Sequence, residues 1–267
     1  MKDNFSSHSH SYSRFRPTYP RELAAWLASL VRRRERVWDC GTGNGQLARL
    51  LADFFGEVAA TDLSANQIAN AMPAGNIVYR VESAERSSFP DRVFDLVTVA
   101  QAAHWFDFDR FYGEVNRTLK PDGVIALLGY GLPHVNDEVD RCVRWFHGDV
   151  ISPYWDKERI LVDTNYETIP FPFDELDIPH FESRHAWNLE QFIGYLGTWS
   201  AVKHYREARS SDPLDLVRDP LGRAWGHGES MRDVGFPIFA RVGRKPATAE
   251  SPSNHERHEP QIHSQGI

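Results

Sequence analysis

The chain has 267 residues, of which 41% are hydrophobic, and a formal net charge of −7. This length suits one domain with a full core, and the negative charge argues against a nucleic-acid binder that relies on a basic surface. Two cysteines and the lack of a long apolar run argue against a disulfide scaffold and a membrane span, and we expect a cytoplasmic protein.

The chain opens with a polar arm, residues 1–18, that also carries aromatic side chains and arginines. Tyr12, Arg16 and Tyr19 predict that this arm closes as a lid over a ligand and excludes water. The alternative is that Arg16 and Pro17 only set the start of the first helix. That helix is predicted at residues 20–34, because proline suits a first helical turn and apolar residues then recur at helical spacing.

Strands and helices alternate after this helix. Strands are predicted at residues 36–39, 58–62, 77–81, 94–100 and 124–129, and helices at 45–54, 65–71 and 108–119. The sequence "KPDG" at 120–123 predicts a turn before the fifth strand. This alternation is typical of a mostly parallel sheet with helices on both faces.

The alternation stops after residue 130. Residues 131–230 contain five of the eight tryptophans and predict mainly helices, with one strand-like run at 175–181. A closing strand is predicted at 236–242. We expect one domain at residues 19–244, which includes this helical acceptor-side region, and a disordered tail at 245–267.

The stretch "VWDCGTGNGQLA" predicts a strand, a glycine turn and a helix that together hold a nucleotide-like ligand. A dinucleotide fingerprint has its third glycine at the sixth position, but here Gln46 stands there and Gly45 precedes it. Asp62 follows 21 residues after Gly41 and could accept both ribose hydroxyls of an adenosine. Asp39 would repel a pyrophosphate but attract a cation. A ligand with an adenosine, an ammonium and a sulfonium group suits this combination.

Four motifs in order resemble class I S-adenosylmethionine-dependent methyltransferases over residues 36–130. They are "VWDCGTGNGQLA", "TDLSANQIANA", "VESAERSSFPDRVFDLVTVAQAAHWF" and "LKPDGVIAL". The resemblance implies an α/β, Rossmann-like class I methyltransferase fold with a mostly parallel seven-stranded sheet and S-adenosyl-L-methionine as the cofactor. A narrower resemblance rests on "FSSHSHSYSRFRPTYP", "AAHWFD" and "YLGTWSAVKHY". These stretches are similar to a group that includes the fungal trans-aconitate methyltransferases.

The resemblance also implies which residues bind the cofactor. They are Asp39, Gly41, Thr42, Gly43, Gly45, Asp62, Leu63, Ala84, Glu85 and Gln101. Asp39 is expected to orient the methionine amino group, with a turn or helix cap as its alternative role. Asp62 is expected to contact the ribose, or instead to cap the helix near Ala65. Ser83 stands where the superfamily often has an adenine-binding acid, so Ala84 and Glu85 are expected to act on the adenine side chiefly through backbone groups. The alternative for Glu85 is an exposed position in a surface loop.

A second set of residues is expected to bind the methyl acceptor. It comprises Tyr12, Arg16, Tyr19, His104, Trp105, Tyr195 and Trp199. Their aromatic character predicts a small organic acceptor with apolar surface, and a carboxylate on it could meet Arg16 or Lys203. His104 is the candidate catalytic base, with a structural hydrogen bond or carboxylate binding as alternatives. No metal site is expected, since the histidines of the arm and tail lack a ligand spacing.

The leading hypothesis is therefore a methyltransferase that acts on a small molecule, at the oxygen of a carboxylate or a hydroxyl. Positioning alone can supply about 7–11 kcal/mol of the barrier in such a reaction, so the lack of a catalytic triad is no objection. One alternative is an NAD-dependent oxidoreductase with an atypical glycine loop. Another is a protein that binds S-adenosylmethionine without catalysis. No nucleic-acid or membrane partner is expected.

Overall fold

The computed structural model describes residues 16–246, and within them an eight-stranded sheet forms the centre of the molecule. The strands are β1 (Arg36–Cys40), β2 (Glu57–Asp62), β3 (Ile77–Val81), β4 (Phe94–Ala100), β5 (Leu119–Tyr130), β6 (Asp174–Glu175), β7 (Phe181–Trp187) and β8 (Arg232–Arg244). Their order is β3-β2-β1-β4-β5-β8-β6, and β7 also pairs with β8. The first five strands run parallel and β8 is antiparallel to its neighbours.

Helices cover both faces of the sheet. They are α1 (Arg21–Ser29), α2 (Gln46–Leu51), α3 (Ala65–Ala69), α4 (Phe108–Thr118), α5 (Asp137–Trp145), α6 (Arg159–Asp163), α7 (Leu189–Leu196), α8 (Ser200–Arg209) and α9 (Leu214–Trp225). Side chains of a strand alternate between faces, and β5 shows this clearly. Val124, Ala126 and Leu128 join one buried cluster with α1, α2 and α5, while Ile125 and Leu127 join a second cluster with α4.

The sheet has a topological switch point between β1 and β4. From β1 the chain moves outward through β2 to β3, and it then returns to place β4 and β5 on the other side of β1. Ligands of α/β proteins bind outside the carboxyl ends of the strands at such a point. The loops after β1, β2 and β4 meet here.

The predicted α/β fold is confirmed, with differences in the elements. The helix predicted at 20–34 ends at Ser29, and beyond this end the Arg34 Nε donates a hydrogen bond to the Ala28 carbonyl. The "KPDG" stretch lies inside β5, where the register shifts against β4 and Asp122 takes a φ of 62°. It is therefore a bulge within the strand, and β5 begins at Leu119.

The sheet has eight strands instead of seven because the run predicted at 175–181 does not form one strand. Pro179 has no backbone N–H to donate to a sheet ladder. The chain instead forms the two-residue β6 before this proline and the seven-residue β7 after it. Both pair with β8, which is longer than the predicted 236–242 and spans Arg232–Arg244.

The predicted arm and tail lie almost wholly outside the described residues. Residues 16–18 of the arm and 245–246 of the tail are described. The predicted contact of Tyr12 therefore also lies outside them. In the described part of the chain, no helix combines the length and apolar character needed to cross a membrane.

Candidate active site

A cavity opens at the switch point and is called here the sheet-edge cavity. It encloses about 1030 Å³, counting its open mouth, and its walls come from the loops after β1, β2 and β4, the start of the described chain, and the end of β5. Its lining residues include Arg16, Tyr19, Gly41, Thr42, Gly43, Asp62, Leu63, Ser64, Gln67, Gln101, Trp105 and Tyr130.

The three glycines of the loop after β1 have different roles. All have positive φ, at 67°, 56° and 85° for Gly41, Gly43 and Gly45. A Cβ on Gly41 would lie 2.6 Å from the Ala102 Cβ, and one on Gly45 would overlap the Tyr79 hydroxyl. A Cβ on Gly43 would meet nothing within 4 Å, although this residue lines the cavity. Gly43 thus leaves space on the ligand side, while the other two allow close packing.

Asp62 joins the glycine loop to the end of β2. Its Oδ2 accepts a hydrogen bond of 2.9 Å from the Gly43 N–H, and its Oδ1 accepts one of 2.8 Å from the Ser64 N–H. Ser64 is the N-cap of α3, since its side chain accepts from the Gln67 N–H. Asp62 therefore does not itself cap this helix, and its carboxylate lines the sheet-edge cavity.

Asp39 lies beneath the loop and does not line the cavity. It is fully buried, and its two oxygens accept hydrogen bonds from the hydroxyls of Thr42, at 2.5 Å, and Thr98, at 2.8 Å. Burial raises the pKa of this carboxyl to about 6, against the lowering effect of both hydroxyls. Asp39 fixes Thr42, which does line the cavity, so a role toward the ligand amino group remains a prediction.

A second cavity, the helical cavity, adjoins the first and measures about 640 Å³, counting its open mouth. It lies between the loop after β4 and the helical region, and its polar lining residues include His104, Asp156 and Arg159. Four residues line both cavities, and we call them the junction: Arg16, Gln101, Trp105 and Tyr130. A methyl donor bound in one cavity and a methyl acceptor bound in the other would meet at the junction.

Arg16 closes one side of the junction. Its Nη1 donates to the Tyr130 hydroxyl at 3.0 Å, and its Nη2 donates to the Thr198 carbonyl at 3.3 Å. Tyr19 is buried, and its ring lies 6.4 Å from that of Tyr130. The described end of the arm is thus attached to β5 and to the helical region.

His104 stands on a short turn after β4, in the wall of the helical cavity. Its Nδ1 lies 2.9 Å from the hydroxyl of Tyr166, which is fully buried. Burial, with Arg159 and Arg16 nearby, lowers the pKa of His104 to about 3. The imidazole is therefore neutral at physiological pH. The hydroxyl needs an acceptor, and if it donates to Nδ1 the proton of the ring lies on Nε2.

Strained backbone holds these side chains in place. Gln101, Asn165 and Tyr166 are not glycines, yet they have φ values of 54°, 52° and 62°. Such conformations cost of order 1–3 kcal/mol each and are concentrated at functional sites. The positive φ at Gln101 turns the chain directly after β4, and those at Asn165 and Tyr166 turn it where Tyr166 contacts His104.

The structure brings together most of the predicted site residues. Those in one or both cavity linings are Arg16, Tyr19, Gly41, Thr42, Gly43, Asp62, Leu63, Gln101, His104, Trp105, Tyr195 and Trp199. Asp39, Gly45, Ala84 and Glu85 line neither cavity, nor does Lys203. Ala84 is buried in the core, and Glu85 interacts with the Ser83 hydroxyl. Direct cofactor contact of these residues remains a prediction.

Three residues of the helical region were not predicted from the sequence. Asp156 and Arg159 line the helical cavity, and Tyr166 supports His104. They fall in "YWDKERILVDTNY", where charged and aromatic residues mix without a regular period. The only local signal was the pairing of acids and arginines among aromatic residues, which is also typical of a solvated helix.

The sheet-edge cavity fits the expected cofactor on three observations. The open position at Gly43 leaves room for a ligand against the loop backbone. The Asp62 carboxylate in the lining can accept hydrogen bonds from a ribose. Leu63 is 43% exposed and offers an apolar surface to a base. Among the described residues, no group of three His, Cys, Asp or Glu side chains could hold a metal ion.

Comparisons with known proteins agree with this geometry. The family model of a methyltransferase domain matches residues 38–127. A Dictyostelium discoideum protein described as a methyltransferase is 33% identical over 250 residues, which cover 91% of this chain and 95% of that protein. An uncharacterized methyltransferase of Schizosaccharomyces pombe is 31% identical over 235 residues, covering 85% of this chain and 90% of its own length. A solved structure described as a type II methyltransferase from Anaeromyxobacter dehalogenans has a TM-score of 0.82 at 41% identity, and the match covers 86% of this chain and 98% of that one.

Proposed function

Because this chain belongs to the class I S-adenosylmethionine-dependent methyltransferases, we propose that it methylates a carboxylate oxygen of a small organic acid. Membership of this family makes the chain an enzyme with S-adenosylmethionine as its cofactor, and the NAD-dependent alternative is not favoured. The acceptor and the methylated atom are our proposal. So is the place of this chain in the group that includes the trans-aconitate methyltransferases.

One observation carries the proposal. The helical cavity presents two guanidinium groups, of Arg16 and Arg159, beside an imidazole whose pKa is about 3. A carboxylate is ionised at neutral pH and needs no base to become a nucleophile, whereas a hydroxyl benefits from one. His104 is too weak a base to serve a hydroxyl well, but its ring can donate a hydrogen bond to an anion. Two arginines against one acid, Asp156, in the lining, together with a neutral His104, favour an acidic acceptor.

Arg159 is well placed for a planar anion. Its Nε donates to the Asp163 Oδ1 at 2.8 Å, and its guanidinium carbon lies 4.5 Å from the centroid of the Trp155 ring. These two contacts fix the guanidinium plane, which favours bidentate binding of a carboxylate. Arg159 thus supplies the anchor that the sequence had suggested for Lys203.

The cofactor would be held by the residues of the sheet-edge cavity, with Asp62 and the Gly43 backbone on one side and the junction on the other. When bound, it supplies a methyl group that is already activated by a positive sulfur leaving group. The protein orients the acceptor oxygen at the junction through Arg16 and Gln101. Trp105 and Tyr130 exclude water there, since a dry site strengthens each of these interactions.

A panel of matched acceptors tests this function. The release of S-adenosylhomocysteine is measured with dicarboxylic and tricarboxylic acids of three to six carbons and with the corresponding amides and amines. We expect turnover with acids and not with amides. The variant Arg159→Gln should raise KM for the acid at least tenfold, because it removes one charge-assisted anchor, while Arg144→Gln on the exposed side of α5 should change KM less than twofold. Turnover with amides or amines but not with acids would exclude the proposal.

A further inference from the structure

The helical cavity contains one acidic side chain, Asp156, among the described residues that line it. This side chain is 11% exposed, and no described residue donates a hydrogen bond to its carboxylate. Among the described residues, the ionisable nitrogen recorded near this carboxylate is the His204 Nδ1, 4.0 Å from Oδ2. That nitrogen already lies 2.9 Å from the Tyr154 carbonyl oxygen, the partner to which it donates. Asp156 therefore has acceptor capacity that no other residue in the described range 16–246 uses.

A carboxylate in this position is costly to leave without a donor. Buried polar groups are nearly always hydrogen-bonded, and an exception calls for a specific explanation. Removal of a charged acceptor from water costs several kcal/mol unless donors replace the lost hydration. The same cavity wall also contains the apolar side chains of Trp155, Trp199 and Val162. The explanation we favour is a donor on the bound ligand.

The neighbouring residue on the same turn indicates which ligand this is. The backbone N–H of Arg159 donates to the Asp156 carbonyl at 2.9 Å, so the two residues are three positions apart on one tight turn, and both line the cavity. One turn thus presents a cation and an anion to the same space. A molecule that carries a carboxylate and a hydrogen-bond donor on neighbouring atoms is complementary to this pair.

We propose that the acid acceptor carries a hydroxyl or ammonium group next to a carboxylate, and that Asp156 accepts a hydrogen bond from this group while Arg159 binds the carboxylate. Asp156 is then a specificity residue that selects α-hydroxy or α-amino acids over unsubstituted acids. This inference rests on the proposed methylation of an acid. It assigns no proton transfer to Asp156.

Three four-carbon acids that differ at one carbon test this inference: succinate, malate and aspartate, the last two as both enantiomers. Their binding to the protein saturated with S-adenosylhomocysteine is measured by calorimetry. One enantiomer of malate or aspartate should bind at least tenfold more tightly than succinate. Asp156→Ala should remove this difference while the affinity for succinate stays within threefold.

Two further variants separate the possible roles of Asp156. Asp156→Asn keeps an acceptor oxygen but loses the charge. It should therefore still bind malate more tightly than succinate, and it should bind aspartate at least tenfold more weakly than the wild type does. Asp149→Asn removes an exposed acid of the same region that lines neither cavity, and it should change none of the affinities. If Asp156 were purely structural, its replacement would instead weaken the binding of all three acids in parallel. If Asp156 were a general base, its replacement would leave binding unchanged, and the wild type would show an acidic limb in the pH profile of kcat. Either result would overturn the inference.

The outcome also separates this inference from the function on which it rests. Equal binding of the three acids to the wild type would overturn the role of Asp156 and leave the methylation of acids standing. Binding of S-adenosylhomocysteine with no binding of any acid would contradict the proposed acceptor class, and the inference would fall with it.

Discussion

At the site, burial moves the pKa values of Asp39 and His104 in opposite directions, but it favours the neutral form of both. The pKa of Asp39 rises to about 6 and that of His104 falls to about 3, and desolvation is the leading cause in each case. For His104 the consequence is chemical, because a neutral imidazole donates a hydrogen bond without carrying charge. For Asp39 the consequence is a pH-dependent stability.

Asp39 should make the protein less stable as pH rises from about 4 to 6. The folded pKa lies above the ordinary value of 3.8, so the folded state holds the proton more tightly than the unfolded state. The contribution of Asp39 to stability is then fully present below pH 4, falls as the carboxyl of the unfolded chain loses its proton, and levels off above pH 6. The change amounts to about 3 kcal/mol, at ~1.4 kcal/mol per pKa unit. We expect Asp39→Asn to lack this fall.

Urea unfolding at pH 4, 5, 6 and 7 measures the free energy of unfolding of both proteins. As pH rises across this range, the stability of Asp39→Asn relative to the wild type should increase. The hydrogen bond that the amide cannot accept from Thr42 or Thr98 adds a constant cost and leaves the slope unaffected. Parallel curves for the two proteins would show that the carboxyl titrates normally.

Asp62 should contribute mainly to cofactor affinity. Asp62→Ala removes an acceptor for the ribose and releases the Gly43 N–H, and we expect S-adenosylhomocysteine to bind about 1.5–3 kcal/mol more weakly, the range for a hydrogen bond to a charged group. The fold should survive, because Ser64 caps α3 without Asp62. Calorimetry measures the affinity, with Asp53→Ala at an exposed acid as the control. Unchanged affinity would remove Asp62 from the site.

At the scale of the element, the glycine loop illustrates what the sequence could predict. The acid, the alternating glycines and the following helix are local, and they predicted a glycine turn between a strand and a helix. The different roles of the three glycines were not predictable, because Ala102 and Tyr79 come from other strands and loops. Gly41 and Gly45 are explained by these distant contacts, and Gly43 by the space beside it.

Gly43→Val should therefore separate binding from folding. The added side chain projects into open space, so it should block the cofactor and abolish measurable binding of S-adenosylhomocysteine. The positive φ of 56° adds strain of about 1–2 kcal/mol, which thermal unfolding should reveal as a modest loss. Gly75→Val, at another glycine with open space, controls for the substitution itself. Tight binding to the folded Gly43→Val protein would contradict the placement of the cofactor.

The helical region was the least predictable part. Strands β1 to β4 were predicted within about one residue, because buried parallel strands form short apolar runs between turns. By contrast, β7 was missed. His104 and Tyr166 are 62 residues apart in the chain, and their contact leaves no periodic pattern. The same holds for Asp156 and Arg159, whose roles depend on how the region folds over the junction.

At the scale of the whole molecule, Arg16 connects the start of the described chain to β5 and to the loop before α8. Arg16→Ala should lower kcat/KM for an acid at least tenfold, because it removes a charge from the junction and a contact that closes it. The free energy of unfolding should fall by about 1 kcal/mol, typical of one hydrogen-bonding group. Arg21→Ala, at the exposed ion pair with Asp53, provides the control. Equal losses in activity and stability would indicate a structural role only.

The proposed function requires that a methyl group moves from S-adenosylmethionine to a carboxylate oxygen. The most direct measurement uses a cofactor with a ¹³C-labelled methyl group and the acid that gives turnover, and it identifies the labelled product by NMR and mass spectrometry. We predict a methyl ester, with a methoxy carbon signal and release of labelled methanol on mild alkaline hydrolysis. A labelled methyl group on nitrogen, carbon or an ether oxygen, stable to that hydrolysis, would contradict the account.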